Sequence, residues 1–158
     1  MDRGVELFRR GRYRQAADAF LLAGESNQGD AVCRIYAGHA LFALGRYRQA
    51  VQHIRRAMEL QPRIVYLSYD MRGDYDDVSR FDAQLAALKR ALDMSPANND
   101  RLFLLGYVLY YGNKRTASYP IFEQAHKLER DDPLITKLMQ NAQPPDVQLD
   151  AMKKSPSP

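Results

Sequence analysis

The sequence feature that most constrains the fold is an identical repeat of six residues. The hexapeptide GRYRQA occurs at residues 11–16 and again at residues 45–50, so the two copies lie 34 residues apart. A fixed period of roughly 20 to 50 residues is typical of architectures in which one supersecondary unit recurs along the chain. The repeat therefore indicates that the same corner of a building block is used more than once.

The residues around the second copy predict two helices joined by a tight turn. Upstream, the stretch AVCRIYAGHALFAL favours a helix whose apolar face contains small residues. Gly45 follows this stretch, at a point where a helix end requires a residue that tolerates positive φ. Pro62 comes after the downstream helix, which cannot continue through it. The downstream apolar residues recur at the spacing of an amphipathic helix: Tyr47, Ala50, Val51, Ile54, Ala57 and Met58.

This unit of about 34 residues resembles the tetratricopeptide repeat, which has the same period and places small residues where its helices meet. Arg34 stands where the family has an aromatic residue, whereas Gly38 and Ala50 would let the paired helices approach closely. The resemblance implies an all-α fold, a right-handed α-solenoid of helix–turn–helix repeats with a C-terminal capping helix. The matching residues in the second copy are Ala37, Gly38, Leu41, Ala50, Ile54, Ala57 and Pro62.

The resemblance also divides the chain. We expect one solenoid domain over residues 1–142, followed by a polar, proline-containing tail at 143–158 that is predicted to be disordered. The first copy has room for only a short first helix, so we expect the chain to be a piece of a longer protein. Within the domain we expect a truncated repeat at 1–30, repeats at 31–64, 65–98 and 99–132, and a capping helix at 132–142.

The third copy, residues 65–98, departs from the pattern. Arg72 stands in the glycine position, and the segment 65–78 carries four aspartates, so we expect a short or bent helix followed by a long acidic turn. Ser79 with Asp82 would form a capping box at the start of its second helix. In the fourth copy we expect Pro120 to delay the start of the second helix, because proline is tolerated in a first turn.

The family resemblance implies that the first helices of stacked repeats line a concave, partner-binding groove. Tyr66, Tyr69, Tyr107 and Tyr110 are expected to form one contiguous, partly exposed surface, since tyrosine offers contact area together with a hydroxyl group. The alternative is that some of these rings fill the core. The predicted partner-binding residues are Ile35, His39, Phe42, Tyr66, Tyr69, Phe103, Tyr107, Tyr110 and Tyr111. The resemblance implies that Val32 and Gly73 face the same groove.

A subset of the family holds a partner's C-terminal carboxylate with Lys and Asn residues. The corresponding positions here are Met1, Val5, Tyr36, Tyr66 and Asp70, so a chaperone C-terminus is not the expected ligand. We therefore expect a protein–protein interaction scaffold that binds a peptide or partner protein in a tyrosine-rich groove, within a larger bacterial protein or complex.

Two other functions remain open. The truncated first repeat would leave an apolar surface that a second copy could cover, which favours self-assembly as a homo-oligomer. The arginine-rich stretches RRGRYR and GRYR could bind RNA phosphates. Nucleic acid is the less favoured partner, because the resemblance places these arginines on turns and second helices, away from the groove.

An enzyme is not expected. His39, His53 and His126 fall on separate helices without metal-ligand spacing, and no phosphate loop or nucleophile elbow is present, so we predict no catalytic residue, metal or cofactor. Cys33 is the only cysteine, which excludes an internal disulfide. No apolar run is long enough to span a membrane, and no signal peptide is visible, which slightly favours a cytoplasmic location.

Overall fold

The computed structural model describes residues 1–26, 29–145 and 147, and the regular structure in these residues is helical. The prediction of an all-α solenoid built from helix–turn–helix units is confirmed. The predicted disordered tail, residues 143–158, lies outside the described residues except at 143–145 and 147. The α-helices are α1 (Asp2–Arg9), α2 (Tyr13–Ser26), α3 (Ala31–Ala43), α4 (Tyr47–Leu60), α5 (Val78–Asp93), α6 (Asn99–Tyr111), α7 (Arg115–Leu128) and α8 (Pro133–Ala142).

The repeated hexapeptide forms the turn between the two helices of a unit. Gly11 and Gly45, its first residue in each copy, adopt positive φ angles of 77° and 72°. In the second copy the amide of Arg46 donates to the Leu41 carbonyl at 2.9 Å, and the first copy repeats this bond. These bonds satisfy carbonyl groups at the helix end, where no further turn of helix supplies donors. In the fourth copy Asn113 takes the left-handed conformation instead, with φ of 59°.

The two helices of a unit approach closely at a glycine. A Cβ atom on Gly106 of α6 would lie 2.5 Å from the Phe122 ring of α7. Gly38 of α3 faces Ile54 of α4 in the same way, at 2.6 Å. These distances leave no room for a side chain, so the predicted role of the small residues in close helix packing is confirmed for these pairs.

The third copy does not form this helix pair. Two short 3₁₀ helices, Pro62–Tyr66 and Met71–Asp74, precede α5, and the chain between them is extended. The short helix expected in residues 65–78 is present as the 3₁₀ helix Met71–Asp74 and not as an α-helix. Arg72, in the glycine position, has a long side chain that could not enter a close helix contact, and it instead forms an ion pair with Asp70 at 2.6 Å.

The order of packing changes as a consequence. Successive helices pack against each other from α1 to α4 and from α6 to α8, but α4 packs directly against α6. In a regular solenoid each repeat contacts its neighbours, so a contact between the second and fourth units shows that the third unit is not stacked fully between them. The second 3₁₀ helix contacts α1, and α5 contacts α3 and α6.

Two predicted helix starts were wrong. The N-cap of α5 is Asp77, whose carboxylate accepts from the Ser79 amide at 2.9 Å, so the predicted capping box of Ser79 and Asp82 does not form. An aspartate two residues earlier caps the helix equally well. Helix α7 begins at Arg115 and contains Pro120 in its interior, because the preceding turn and the burial of Phe122 against α6 fix where the helix starts.

The C-terminal helix α8 begins as the sequence indicates. The Asp132 carboxylate accepts from the amides of Leu134 and Ile135 at 2.8 and 3.0 Å, and Pro133 occupies the first helical position. Helix α8 packs on α7 and buries Ile135 and Leu138. In the part of the chain that the structure describes, none of the helices combines the length and the apolar character needed to cross a membrane.

We expect Gly106→Ala to destabilise the fold although alanine favours helices. The new Cβ would meet the buried Phe122 ring, and overpacking of this kind costs about 1–3 kcal/mol, against roughly 1 kcal/mol gained in helix propensity. Thermal unfolding followed by circular dichroism should show a lower Tm. Gly73→Ala is the matched control, because a Cβ there would meet nothing within 4 Å. The double variant Gly106→Ala/Phe122→Leu tests the cause. If its Tm shows no relief of the loss caused by Gly106→Ala, a clash with the Phe122 ring is not the cause.

Candidate partner-binding site

The predicted partner-binding residues come from α3, from α6 and from the segment between α4 and α5. Tyr66 is 59% exposed, whereas Ile35 and Tyr69 are half-buried. The remaining six are buried: His39, Phe42, Phe103, Tyr107, Tyr110 and Tyr111.

The expectation of one partly exposed surface from Tyr66, Tyr69, Tyr107 and Tyr110 is therefore wrong for two of its members. Tyr107 and Tyr110 are 1% and 2% exposed. The cause is that residues 62–77 do not form an α-helix beside α6, and part of this segment covers the aromatic rings of α6. The alternative, in which some rings fill the core, applies to these two residues.

The buried tyrosines at the end of α6 hold the first 3₁₀ helix through its main chain. The Tyr110 hydroxyl donates to the Val65 carbonyl at 2.7 Å, and the Tyr111 hydroxyl donates to the Ile64 carbonyl at 2.6 Å. The guanidinium group of Arg115 lies 4.2 Å from the centre of the Tyr110 ring and donates to the Leu67 carbonyl at 3.2 Å. Side chains at the end of α6 and the start of α7 thus bind backbone carbonyls of this 3₁₀ helix and of the residue that follows it.

A cluster of polar aromatic side chains lies next to this contact. The Tyr69 hydroxyl donates to the Asp74 carboxylate, and the Tyr69 ring stacks on His39 with an interplanar angle of 9°. His39 Nε2 and the Tyr107 hydroxyl share a hydrogen bond of 2.9 Å. Asp74 Oδ2 lies 3.8 Å from His39 Nδ1. The cluster joins α3, α6 and the segment that separates α4 from α5.

The tyrosines of this cluster remain protonated at neutral pH. Burial raises the pKa of Tyr69, and the negative charge of Asp74 raises it further. Burial also raises the pKa of Tyr107 well above its usual value. Both hydroxyls are therefore available as hydrogen-bond donors.

A pocket of about 230 Å³ opens beside the cluster, and we call it the Tyr69 pocket. Val32 and Leu67 form part of its rim and are 48% and 50% exposed. The lining residues are Val32, Ile35, Tyr36, Gln61, Ile64, Leu67, Tyr69, Tyr107 and Tyr111.

Four of the predicted site residues line the Tyr69 pocket: Ile35, Tyr69, Tyr107 and Tyr111. The predicted residues His39, Phe42, Tyr66, Phe103 and Tyr110 do not. The sequence prediction missed Gln61, Ile64 and Leu67, because a regular repeat would not place the residues around Pro62 over the groove. The short apolar run IVYL after this proline was the available signal. The binding role of all these residues stays a prediction.

The arginines of the repeated turn lie elsewhere. Arg46 and Arg48 line a polar pocket of about 560 Å³ together with Arg101 of α6, and Asp100 is part of the same lining. The surface there is therefore of mixed charge. Among the described residues, no group of three or more His, Cys, Asp or Glu side chains is arranged to hold a metal ion.

Comparison with known proteins identifies the second copy. A sequence model of the tetratricopeptide repeat matches residues 37–64. Residues 37–64 are therefore similar to a tetratricopeptide repeat. The match covers most of α3, the turn at Gly45, all of α4 and the start of the first 3₁₀ helix. The predicted resemblance to tetratricopeptide-repeat proteins, which rested mainly on these residues, is confirmed.

Solved structures with similar chains include a tetratricopeptide-repeat domain and MamA proteins. The first tetratricopeptide-repeat domain of Spaghetti (RPAP3), bound to an HSP90 peptide, is 14% identical, with a TM-score of 0.42 and coverage of 95% of this chain and 91% of that one. A MamA double mutant from RS-1 is 18% identical, with a TM-score of 0.40 and coverage of 98% and 94%. MamA from MSR-1 is 17% identical, with a TM-score of 0.38 and coverage of 97% and 86%. A comparison with curated proteins found no significant match.

We expect Tyr107→Ala to lower the free energy of unfolding by about 3–5 kcal/mol, as truncation of a buried aromatic ring does. Tyr107 is 1% exposed, and its loss also leaves the buried His39 Nε2 without its hydroxyl partner. Chemical denaturation is the measurement. Tyr66→Ala is the matched control, because this ring is 59% exposed and its loss should change stability little. Equal effects of the two substitutions would contradict the burial described for α6.

Proposed function

We propose that this chain is a protein–protein interaction module that binds a partner peptide at the Tyr69 pocket. Tetratricopeptide repeats generally serve as interaction scaffolds, and residues 37–64 of this chain are similar to such a repeat. The observation that supports the location is a small apolar pocket on α3 and α6 whose rim exposes Val32 and Leu67. Exposed apolar side chains around a concavity are typical of sites that bind another protein.

The size of the pocket indicates what it binds. At about 230 Å³ it is smaller than the roughly 300–1,000 Å³ of sites for drug-sized ligands. It fits one anchoring side chain of a peptide, and a single buried anchor commonly supplies much of the binding free energy at an interface. The lining residues Val32, Ile35 and Leu67 favour an apolar or aromatic anchor.

The rim also offers groups for the peptide backbone. Gln61 is exposed beside the pocket, and its side-chain amide can both donate and accept hydrogen bonds. A partner peptide that runs along this rim would place its anchor in the pocket and pair its main chain with Gln61. The proposed complex therefore combines apolar burial with main-chain recognition.

Self-assembly is a second candidate, and it is favoured by one feature of the first unit. The outer face of α1 and α2 exposes Leu22 by 66% and Met1 by 44% around a shallow pocket of about 530 Å³. A second copy could cover this face. Sedimentation equilibrium over a wide concentration range tests this function, and a monomer at all concentrations would contradict it.

Peptide selection tests the proposed function. A displayed library of random peptides is selected on the immobilised chain, and the affinity of enriched peptides is measured by fluorescence polarisation. We expect Val32→Asp to weaken binding by at least about tenfold, because a carboxylate at the rim would be desolvated by the bound anchor.

Val78→Asp is the matched control for this experiment. Val78 is 44% exposed, lies in the first turn of α5 as Val32 lies in the first turn of α3, and does not line the pocket. The control should retain full affinity. Failure to enrich any peptide, or equal losses in both variants, would contradict binding at the Tyr69 pocket.

A further inference from the structure

The residues that cover the groove form a short bridge between two anchored points. We call residues Leu67–Asp70 the bridge. On one side Val65 is buried, and on the other side Met71 is buried, at 1% and 0% exposure. Leu67, Ser68 and Asp70 are exposed, so Tyr69 is the member of the bridge that points a partly buried side chain into the fold.

Hydrogen bonds hold the bridge at its two ends. At one end the Leu67 amide donates to the Ile64 carbonyl at 3.0 Å and the Leu67 carbonyl accepts from Arg115. At the other end the Asp70 carbonyl accepts from the Gly73 amide at 3.0 Å, and the Asp70 carboxylate pairs with Arg72 at 2.6 Å. Within the described residues, the main chain of Ser68 and Tyr69 takes part in no hydrogen bond. Segments with few buried contacts and exposed backbone open at low free-energy cost compared with the core. The bridge can therefore move while its anchors stay.

The Tyr69 side chain lies between α3 and α6. Its ring packs against His39 of α3 and Tyr111 of α6, with ring centres 6.3 Å apart in both cases. Its hydroxyl donates to Asp74. The ring and hydroxyl of Tyr69 thus fill the space between the two helices. The Tyr69 pocket adjoins that space.

The acceptor of this phenol lies outside the bridge and is held by other contacts as well. Asp74 belongs to the second 3₁₀ helix, which Asp70 caps at the end of the bridge, and the adjacent Tyr75 is 5% exposed. The Tyr75 ring packs edge-on against Phe8 of α1, with ring centres 4.9 Å apart, and its hydroxyl donates to Gln84 of α5 at 2.7 Å. Asp74 should therefore stay in place when Tyr69 leaves.

We propose that Tyr69 is a built-in plug of the groove, and that the site beneath it binds a tyrosine side chain of a partner peptide, which displaces the plug. This inference rests on the proposed function and adds a tyrosine beside the residue that occupies the Tyr69 pocket. The incoming ring replaces Tyr69 between His39 and Tyr111, and the incoming hydroxyl donates to Asp74. The neighbouring residue of the peptide lies in the Tyr69 pocket.

The free tyrosine side chain, p-cresol, tests the site directly. In Tyr69→Ala the vacated space should bind p-cresol, which is measured as a saturable rise in Tm and by isothermal titration calorimetry. Toluene should bind at least about tenfold more weakly, because a site that pairs a hydroxyl discriminates against the analogue that lacks it. Tyr69→Ser serves as a second variant if the alanine variant does not fold.

Two controls decide the interpretation of this test. Tyr66→Ala removes an exposed ring and should create no site for p-cresol. In Tyr69→Ala/Asp74→Ala the preference for p-cresol over toluene should disappear. If p-cresol does not bind either Tyr69 variant, the site is overturned. If toluene binds as well as p-cresol, the assignment to tyrosine is overturned.

Peptides from the selection then test the displacement. We expect enriched peptides to contain tyrosine and to bind Tyr69→Ala roughly tenfold more tightly than the native chain, because the variant has no plug to displace. Equal affinities would overturn the plug and leave the proposed function intact. If no peptide binds either protein, the proposed function and the displacement both fail, whereas p-cresol binding would still show a tyrosine-selective space.

Discussion

The close approach of two helices at a glycine is the constraint on which the rest of this structure depends. Gly38 against Ile54 and Gly106 against Phe122 leave no space for a Cβ atom, so each of these units has a fixed helix separation. Fully buried side chains then pack along the seam, including Ala50, which is 0% exposed. The left-handed residue at the turn completes the unit, because it reverses the chain without a long loop.

The third unit does not meet this constraint, and its geometry differs accordingly. Arg72 cannot enter a close seam, and the residues before α5 form two short 3₁₀ helices in place of a first helix. Helix α6 then packs against α4. Apolar residues of this segment, such as Val65 and Met71, are nonetheless buried. The segment therefore contributes to the core although it does not have the geometry of a regular repeat.

The candidate site exists because 3₁₀ helices and an extended bridge replace the first helix of the third unit. A regular first helix would present its side chains along the groove, whereas the extended bridge lays a single tyrosine across it. The hydroxyls of Tyr110 and Tyr111 bind carbonyls of the 3₁₀ helix, which is possible because these carbonyls are not engaged in regular α-helical hydrogen bonds. The groove of this chain is consequently lined partly by its own linking segment.

What the sequence by itself determined is local and periodic. The repeated GRYRQA, Gly38 and Ile54 predicted the turns and the helix pairs, because each signal acts within one unit or between adjacent helices. The tertiary structure alone decided which tyrosines are exposed. Tyr66 and Tyr107 look alike in the sequence, but their burial depends on contacts between residues more than 40 positions apart, such as Tyr111 with Ile64. The periodic pattern of the repeats does not encode those contacts, because the third unit lacks the first α-helix of a regular repeat.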